Sequence, residues 1–162
     1  MAETSSTLQG ITLSAVPGGI TAPQGFTSAA VHSGIKVKTG ALDLTVVAAG
    51  QPVSAAGLFT TNLAQAAPVL VSKRHLERSG GTARAVVINS GCANACTGTQ
   101  GMADAELMAS EVAAALGCQA EDVLVASTGV IGVNLKMDRI VPGIRTVSAA
   151  LARPCRRSRS RC

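Results

Sequence analysis

The chain has 162 residues, of which 47% are hydrophobic and 14% are charged, a composition typical of one folded domain and not of a disordered protein. Its net charge of +5 arises at the C-terminus, where the last ten residues hold five of the 14 Lys and Arg residues and none of the nine Asp and Glu residues. The remainder is neutral, which argues against a nucleic-acid-binding face. A signal peptide and an apolar run of about 18 residues are both lacking, so we expect a soluble, cytoplasmic protein without a membrane partner.

The first half of the chain is predicted to contain short strands behind a polar N-terminal arm, residues 1–18. The charged stretch Lys73–Arg78 is predicted as a short surface helix or loop that ends at Gly80 and Gly81. His75 in that stretch and His32 are both predicted to be solvated, because no acid or thiol nearby would fix a tautomer. Short runs of β-branched and aliphatic residues predict the strands, at Leu42–Ala48, Ala55–Thr61 and Ala67–Val71.

The second half alternates strands with helices. Ala85–Asn89 is predicted as a buried strand, and residues 102–117 show the three- and four-residue spacing of an amphipathic helix that ends at Gly117. Val123–Ala126 is predicted as the next strand, and a last helix is predicted to begin near Asp138, with Pro142 in its first turn. This alternation predicts an α/β fold in which a sheet is layered against helices.

The loop between the Ala85–Asn89 strand and the helix that follows it is rich in Gly, Asn and Cys. It lacks the spacing of a phosphate-binding loop, so we interpret it as a tight, partly buried turn with left-handed Asn and Gly residues. Cys92 and Cys96 could form half of a zinc site, but no second pair follows at finger spacing. We therefore expect no metal and no bound cofactor, and we interpret Cys92, Cys96 and Cys118 as small buried residues.

Ser127, Thr128 and Gly129 end the strand that begins at Val123. A Thr hydroxyl followed by an unshielded Gly N–H offers two hydrogen-bond donors, which is what the oxyanion of an acyl-transfer intermediate requires. A simple polar turn after a strand would have the same sequence, so both interpretations stay open at this point. The chain shows no nucleophile with an adjacent base, and an acyl-transfer role would therefore need a nucleophile from elsewhere.

Several segments together resemble the bifunctional ornithine acetyltransferase / N-acetylglutamate synthase family of arginine biosynthesis. They follow the family's order from about Gly19 to Ile144. The matching stretches are GITAPQGF (19–26), GIK (34–36), AGLFTTNLAQAAPVL (56–70), NSGCANACTGTQG (89–101), ASTGVIG (126–132) and MD (137–138).

The resemblance implies an incomplete layered sheet-and-helix fold of the ornithine acetyltransferase type, which is N-terminal-nucleophile-like. It also implies a precursor that cuts itself before a Thr, which then carries the acetyl group from N-acetylornithine to glutamate; acetyl-CoA is a second donor in some members. Carried onto this sequence, the oxyanion hole falls on the hydroxyl of Thr128 and the N–H of Gly129. The implied partner is the family β-chain that carries the Thr nucleophile, in an αβ heterodimer and higher oligomer.

Residues 19–150 are therefore interpreted as the N-terminal part of an acetyltransferase α-chain. The family's Thr-Thr-Asp segment, Lys-Gly loop and Ala-Thr cleavage pair are missing, and residues 151–162 change to an Arg, Ser and Cys composition. We therefore expect a truncated or frame-shifted gene product that is inactive alone. Two alternatives are a non-catalytic fragment with open strand edges and a protein whose basic tail binds RNA or an acidic partner.

Overall fold

A computed structural model describes residues 5–8, 11–14 and 19–151. The basic tail, apart from Leu151, and most of the linking residues of the N-terminal arm lie outside the described residues. Six strands, three helices and one turn of 3-10 helix (Ala120–Asp122) follow one another in the described ranges. The elements are β1 (Ser5–Leu8), β2 (Ile11–Ser14), β3 (Phe26–Val31), β4 (Leu44–Ser54), α1 (Ala67–Arg78), β5 (Thr82–Cys92), α2 (Gly98–Leu116), β6 (Val123–Val130) and α3 (Met137–Leu151).

Four strands form the main sheet, in the order β3-β4-β5-β6, while β1 and β2 pair as a separate antiparallel ribbon. The β3–β4 and β4–β5 pairs are antiparallel, whereas β5 and β6 are parallel. Helix α2 lies between β5 and β6 in the chain and forms the crossover that a parallel pair needs. The predicted α/β class with alternating strands and helices is therefore confirmed in the second half of the chain.

Helices α2 and α3 cover one face of the main sheet, and α1 packs along its β6 edge. On that face each central strand buries every second residue, and the largest of these side chains, Leu44, Val46 and Val87, have no exposed surface. The aliphatic core between this face and the helices includes Met108 and Ile144, which are also fully buried. The opposite face carries Val86 and Leu124, which are only half-buried. One face of the sheet is thus closed and the other is open.

Two of the strands predicted in the first half are wrong. Ala67–Val71 begins helix α1, and Ala55–Thr61 lies in an irregular segment. A short apolar run does not distinguish a strand from a buried helix turn. In α1 the buried residues Ala67, Val71 and His75 recur at a spacing of four, which is a helical period. The prediction missed this period because it ended a strand at Val71 and treated the charged stretch that follows as a separate element. Strand β3 was not predicted, because residues 26–31 lack the alternation of a half-buried strand.

The helix boundaries of the second half differ from the predictions at their N-termini. Helix α2 begins at Gly98, one turn earlier than predicted, so Asp104 lies in its second turn and is buried. It ends as predicted, because Gly117 adopts the left-handed conformation with φ +67°. Helix α3 begins at Met137, and Pro142 lies inside it beyond the first turn. In the described residues, no helix combines the length and the apolar character needed to cross a bilayer.

Asp43 braces the loop between β3 and β4. One carboxylate oxygen accepts hydrogen bonds from the N–H and hydroxyl of Ser33, and the other accepts from the N–H groups of Gly34 and Lys36. The side chain is fully buried. Burial alone would raise the pKa of Asp43, but the hydrogen bonds from Ser33 and Lys36 outweigh it and hold this pKa below its ordinary value.

We expect the loss of this carboxylate's charge to destabilise the chain in acid. Because the folded-state pKa is depressed, the stabilisation is present above the unfolded pKa, about 3.9, and is lost as the pH falls through the lower folded value. The melting temperature measured from pH 6 downwards should therefore fall more steeply below pH about 4 in the original chain than in Asp43→Asn. Parallel curves for the two chains would contradict this assignment.

Candidate active site

Strands β5 and β6 end side by side at the same edge of the sheet, and their last pairs contain the predicted site. The parallel register places Ser90 opposite Thr128 and Gly91 opposite Gly129. Both glycines have positive φ, +118° at Gly91 and +133° at Gly129. A Cβ at Gly129 would lie 2.3 Å from the carbonyl carbon of Gly91 and 2.5 Å from the nitrogen of Cys92. The two chains therefore touch through their backbones, which requires glycine at position 129.

The loop after β5 holds the end of β6 from the other side. The N–H of Ala93 donates to the carbonyl of Val130 at 2.9 Å, and the N–H of Gly132 donates to the carbonyl of Ala95 at 2.9 Å. Asn94 is fully buried with φ +49°, and its carboxamide bonds the hydroxyl of Thr97 and the carbonyl of Gly101. The prediction of a tight, partly buried turn with left-handed Asn and Gly residues is confirmed.

Helix α1 covers the outer edge of β6. The Ser72 hydroxyl donates to the Val125 carbonyl at 2.8 Å and accepts from the Val125 N–H at 2.9 Å. One turn later the His75 ring donates through Nδ1 to the Val123 carbonyl at 2.8 Å. These side chains take the place of a neighbouring strand along the first part of β6, where they pair the N–H and carbonyl of Val125 and the carbonyl of Val123. Sequence reasoning missed both roles, and their three-residue separation on one helix face is the signal that could have revealed them.

The prediction that His75 is solvated is wrong. It is 4% exposed, because the helical period turns it towards β6. The side chain of His32 is about one third exposed, but the prediction that it has no acid nearby is wrong. Its Nδ1 donates to the carbonyl of Ala41 and lies 3.5 Å from a carboxylate oxygen of Asp43.

Removing the Ser72 hydroxyl should leave the N–H and carbonyl of Val125 buried without partners. We expect Ser72→Ala to lower the free energy of unfolding by about 2 kcal/mol, since each unmade buried hydrogen bond costs about 1–3 kcal/mol. Ser110→Ala is the matched control, because that exposed hydroxyl bonds only its own helix. Chemical denaturation of the two variants measures the difference, and equal losses would contradict the edge-capping role of Ser72.

Thr128 and Gly129 are both exposed. By register, Thr128 lies in the row of Leu124 and Ala126 on the open face of the sheet. A cleft of about 330 Å³ lies between this face, the start of α1 and the loop before α1. Its lining includes Phe59 and Pro68 on one side, and it reaches Ala126 and Ser127, directly before the predicted donor pair. The cleft walls are mostly apolar.

The thiols do not form a metal site among the described residues, where no group of three His, Cys, Asp or Glu side chains is arranged to hold an ion. Cys92 is buried as predicted, whereas Cys96 is exposed, with φ +57°, on the outside of the loop. Burial raises the pKa of the partly buried Cys118, which favours its neutral thiol. The prediction of three buried thiols is therefore wrong for Cys96.

The model of the ArgJ family matches residues 27–160. The chain belongs to the ArgJ family. An ArgJ relative from Symbiobacterium thermophilum, named arginine biosynthesis bifunctional protein, is 52% identical over 136 residues. A relative from Coprinopsis cinerea, named as mitochondrial, is 49% identical over 128 residues. The predicted family membership is thereby confirmed.

Two solved ArgJ structures share the fold. The ornithine acetyltransferase of Mycobacterium tuberculosis, crystallised with ornithine, superposes with a TM-score of 0.75 at 47% identity over 81% of this chain and 69% of that chain. The ArgJ protein of Bacillus halodurans gives a TM-score of 0.75 at 40% identity over 79% of this chain and 65% of that chain. The predicted sheet-and-helix fold of the ornithine acetyltransferase type is confirmed.

The chain spans about a third of the length of the curated ArgJ relatives that it matches. The alignment with the Symbiobacterium thermophilum protein covers 83% of this chain and 33% of the relative. The family match reaches residue 160 and thus includes most of residues 151–162, whose composition led us to predict a departure from the family. That prediction, the boundary after residue 18 and the roles of Thr128 and Gly129 remain predictions.

Proposed function

We propose that this chain supplies the oxyanion hole of an acetyltransferase whose nucleophile lies in the part of the family protein that the chain does not contain. The donors are the hydroxyl of Thr128 and the N–H of Gly129. The proposed reaction transfers an acetyl group from N-acetylornithine to glutamate, with acetyl-CoA as a second donor and no bound cofactor. The observation that carries the proposal is the placement of this exposed donor pair beside an apolar cleft.

The chemistry follows from the family's Thr nucleophile. Its oxygen attacks the carbonyl carbon of the acetyl amide, and the carbonyl oxygen becomes negative. The carbon–nitrogen bond then breaks, ornithine leaves with the proton from the Thr hydroxyl on its amine, and an acetyl-Thr ester remains. The glutamate amine attacks that ester through a second oxyanion and releases N-acetylglutamate and the free Thr. Both oxyanions require the same two donors, which stabilise them more than they stabilise the neutral carbonyl.

The backbone pattern of β6 supports a free amide at Gly129. In a strand, the N–H and carbonyl of one residue point to one side, and those of the next residue point to the other. The Val125 groups face outwards to Ser72, and the Val130 carbonyl faces inwards to Ala93. By this alternation we infer that the Gly129 N–H points outwards, beyond the start of α1, where it can meet a substrate oxygen.

The open face supports a partner that completes the protein. The half-buried side chains of Val86 and Leu124 lie there in neighbouring strands, and a second apolar cleft of about 190 Å³ extends over them. Leu58 and Leu63, in the loop before α1, are fully exposed. Apolar surface of this kind marks an interaction site in folded proteins. We propose that the remaining part of the family protein, including the β-chain with its Thr, covers this face in an αβ heterodimer and higher oligomer.

Reconstitution tests the proposed function. The chain is co-expressed with the part of the Symbiobacterium thermophilum relative that lies beyond the matched region, and acetyl transfer from N-acetylornithine to glutamate is measured in the purified complex. We expect transfer from the complex and none from either polypeptide alone. A stable complex without transfer would support the alternative of a non-catalytic fragment. Transfer by this chain alone would contradict the assignment of the nucleophile to the missing part.

The alternative in which the basic tail binds RNA or an acidic partner involves residues outside the described ranges. The rest of the chain has no net charge and does not support it. A cytoplasmic location is also proposed only, since matching relatives are named both as bacterial proteins and as mitochondrial proteins.

A further inference from the structure

Asn89 lies on β5 opposite Ser127, the residue before the donor pair, and is fully buried. It belongs to the helix-covered row of β5, where its register neighbours are Leu44 on β4 and Ser127 on β6. An amide in such a row needs partners for both of its ends, because an unpaired buried polar atom costs about 1–3 kcal/mol.

The nitrogen end of this carboxamide is bonded to the backbone. Asn89 Nδ2 donates to the carbonyl of Cys92 at 2.8 Å, which fixes the chain as it turns at Gly91. The peptide between Gly91 and Cys92 is the one against which Gly129 lies, with its Cβ position 2.5 Å from the Cys92 nitrogen. The Cys92 carbonyl belongs to the following peptide, so the bond from Asn89 anchors the chain directly after the peptide that Gly129 contacts.

The oxygen end of the carboxamide has no such bond. Asn89 Oδ1 and the hydroxyl oxygen of Ser127 are both buried, and neither has a hydrogen-bond partner among the described residues. Leu44, the other register neighbour, offers no donor. The two atoms are complementary, because a carbonyl oxygen needs a donor and a hydroxyl has one to give. A water molecule between them would have the two polar partners that a buried water requires.

We propose that Asn89 is a positioning residue for the Thr128–Gly129 pair. Its nitrogen end holds the carbonyl of Cys92, directly after the peptide that Gly129 contacts, and its oxygen end is tied through one buried water to Ser127, the residue before Thr128. The catalytic meaning of this position rests on the proposed function, whereas the structural coupling stands on the contacts of Asn89 itself. The ends of both parallel strands are thus coupled through one carboxamide.

Amide hydrogen exchange of the full 162-residue chain tests the coupling. In Asn89→Asp an oxygen replaces the donor and faces the Cys92 carbonyl. We expect exchange of the Ala93 N–H, which bonds β6, to become at least tenfold faster and the Gly129 cross-peak to shift. Exchange of Ile144 in α3 should stay unchanged. Asn62→Asp is the control, because it makes the same change in an exposed carboxamide that bonds the N–H of Ala64 in its own loop, and it should leave the Gly129 cross-peak in place.

Three results would overturn the proposal: an unchanged Ala93 exchange rate in Asn89→Asp, an equal acceleration at Ile144, or an equal effect of Asn62→Asp. If Asn89→Asp does not fold, Ser127→Ala serves instead. That variant removes only the hydroxyl, and it should accelerate Ala93 exchange severalfold; an unchanged rate contradicts the water bridge.

In the reconstituted complex, Asn89→Asp should lower kcat at least tenfold and leave KM within twofold. Faster exchange without a fall in kcat would uphold the positioning of Gly129 and count against the proposed function.

Discussion

Replacing Gly129 with alanine is expected to destabilise the chain by about 3 kcal/mol, the sum of a strained positive φ and an overpacked backbone contact. The added Cβ would lie 2.3 Å from the Gly91 carbonyl carbon, and backbone cannot move aside as a flexible side chain can. The end of β6 must therefore separate from β5. Chemical denaturation of the purified variant measures the loss, and in the reconstituted complex we expect acetyl transfer to fall to background.

Gly132→Ala is the matched control for this substitution. Gly132 also has a positive φ, +77°, but a Cβ there would meet nothing within 4 Å. Its cost should stay near 1 kcal/mol, the cost of the backbone conformation alone. If the two variants lose equal stability, the contact between Gly129 and the Gly91–Cys92 peptide does not determine the fold at this point.

Replacing Thr128 with alanine should lower kcat for acetyl transfer in the reconstituted complex by about 10²–10³-fold. Loss of one oxyanion donor costs about 2.7–4 kcal/mol of transition-state stabilisation. KM should change little, because the donor acts on charge that develops only after substrate binding. Thr128 is exposed, so the free energy of unfolding should change by no more than about 0.5 kcal/mol.

Thr128→Ser separates the hydroxyl from the methyl group of the same side chain. A serine keeps the donor, and we expect it to retain kcat within tenfold of the original chain. If Thr128→Ser and Thr128→Ala are equally impaired, the side chain contributes by packing against the missing partner and not by donating a hydrogen bond. If both are fully active, Thr128 has no part in the reaction.

The second half of the fold could be predicted from sequence because its signals are local. Helix α2 repeats apolar residues at helical spacing and ends at a glycine that needs a left-handed conformation, and β6 begins with a run of aliphatic residues. The loop after β5 was predictable for the same reason, since Asn94 and Gly98 favour positive φ. The donor pair itself was found through the family resemblance, because its composition alone is that of an ordinary turn.

The first half was predicted less accurately, because its elements are defined by tertiary contacts. The buried face of α1 includes two polar residues, Ser72 and His75, whose partners on β6 are about 50 residues away. Burial of Asp43 likewise depends on a loop that closes around it. The roles of Gly91 and Asn89 required the parallel register, which no local pattern specifies.

The proposed oxyanion hole depends on an N–H at Gly129 that is not used by the sheet. Amide hydrogen exchange of the isolated, 15N-labelled chain measures this directly. If the N–H points outwards from β6, Gly129 should exchange within about tenfold of an unstructured peptide, while Ala93, whose N–H bonds the Val130 carbonyl, should be protected by at least 10³-fold. Protection of Gly129 equal to that of Ala93 would mean that the amide is already bonded within the protein and cannot stabilise an oxyanion.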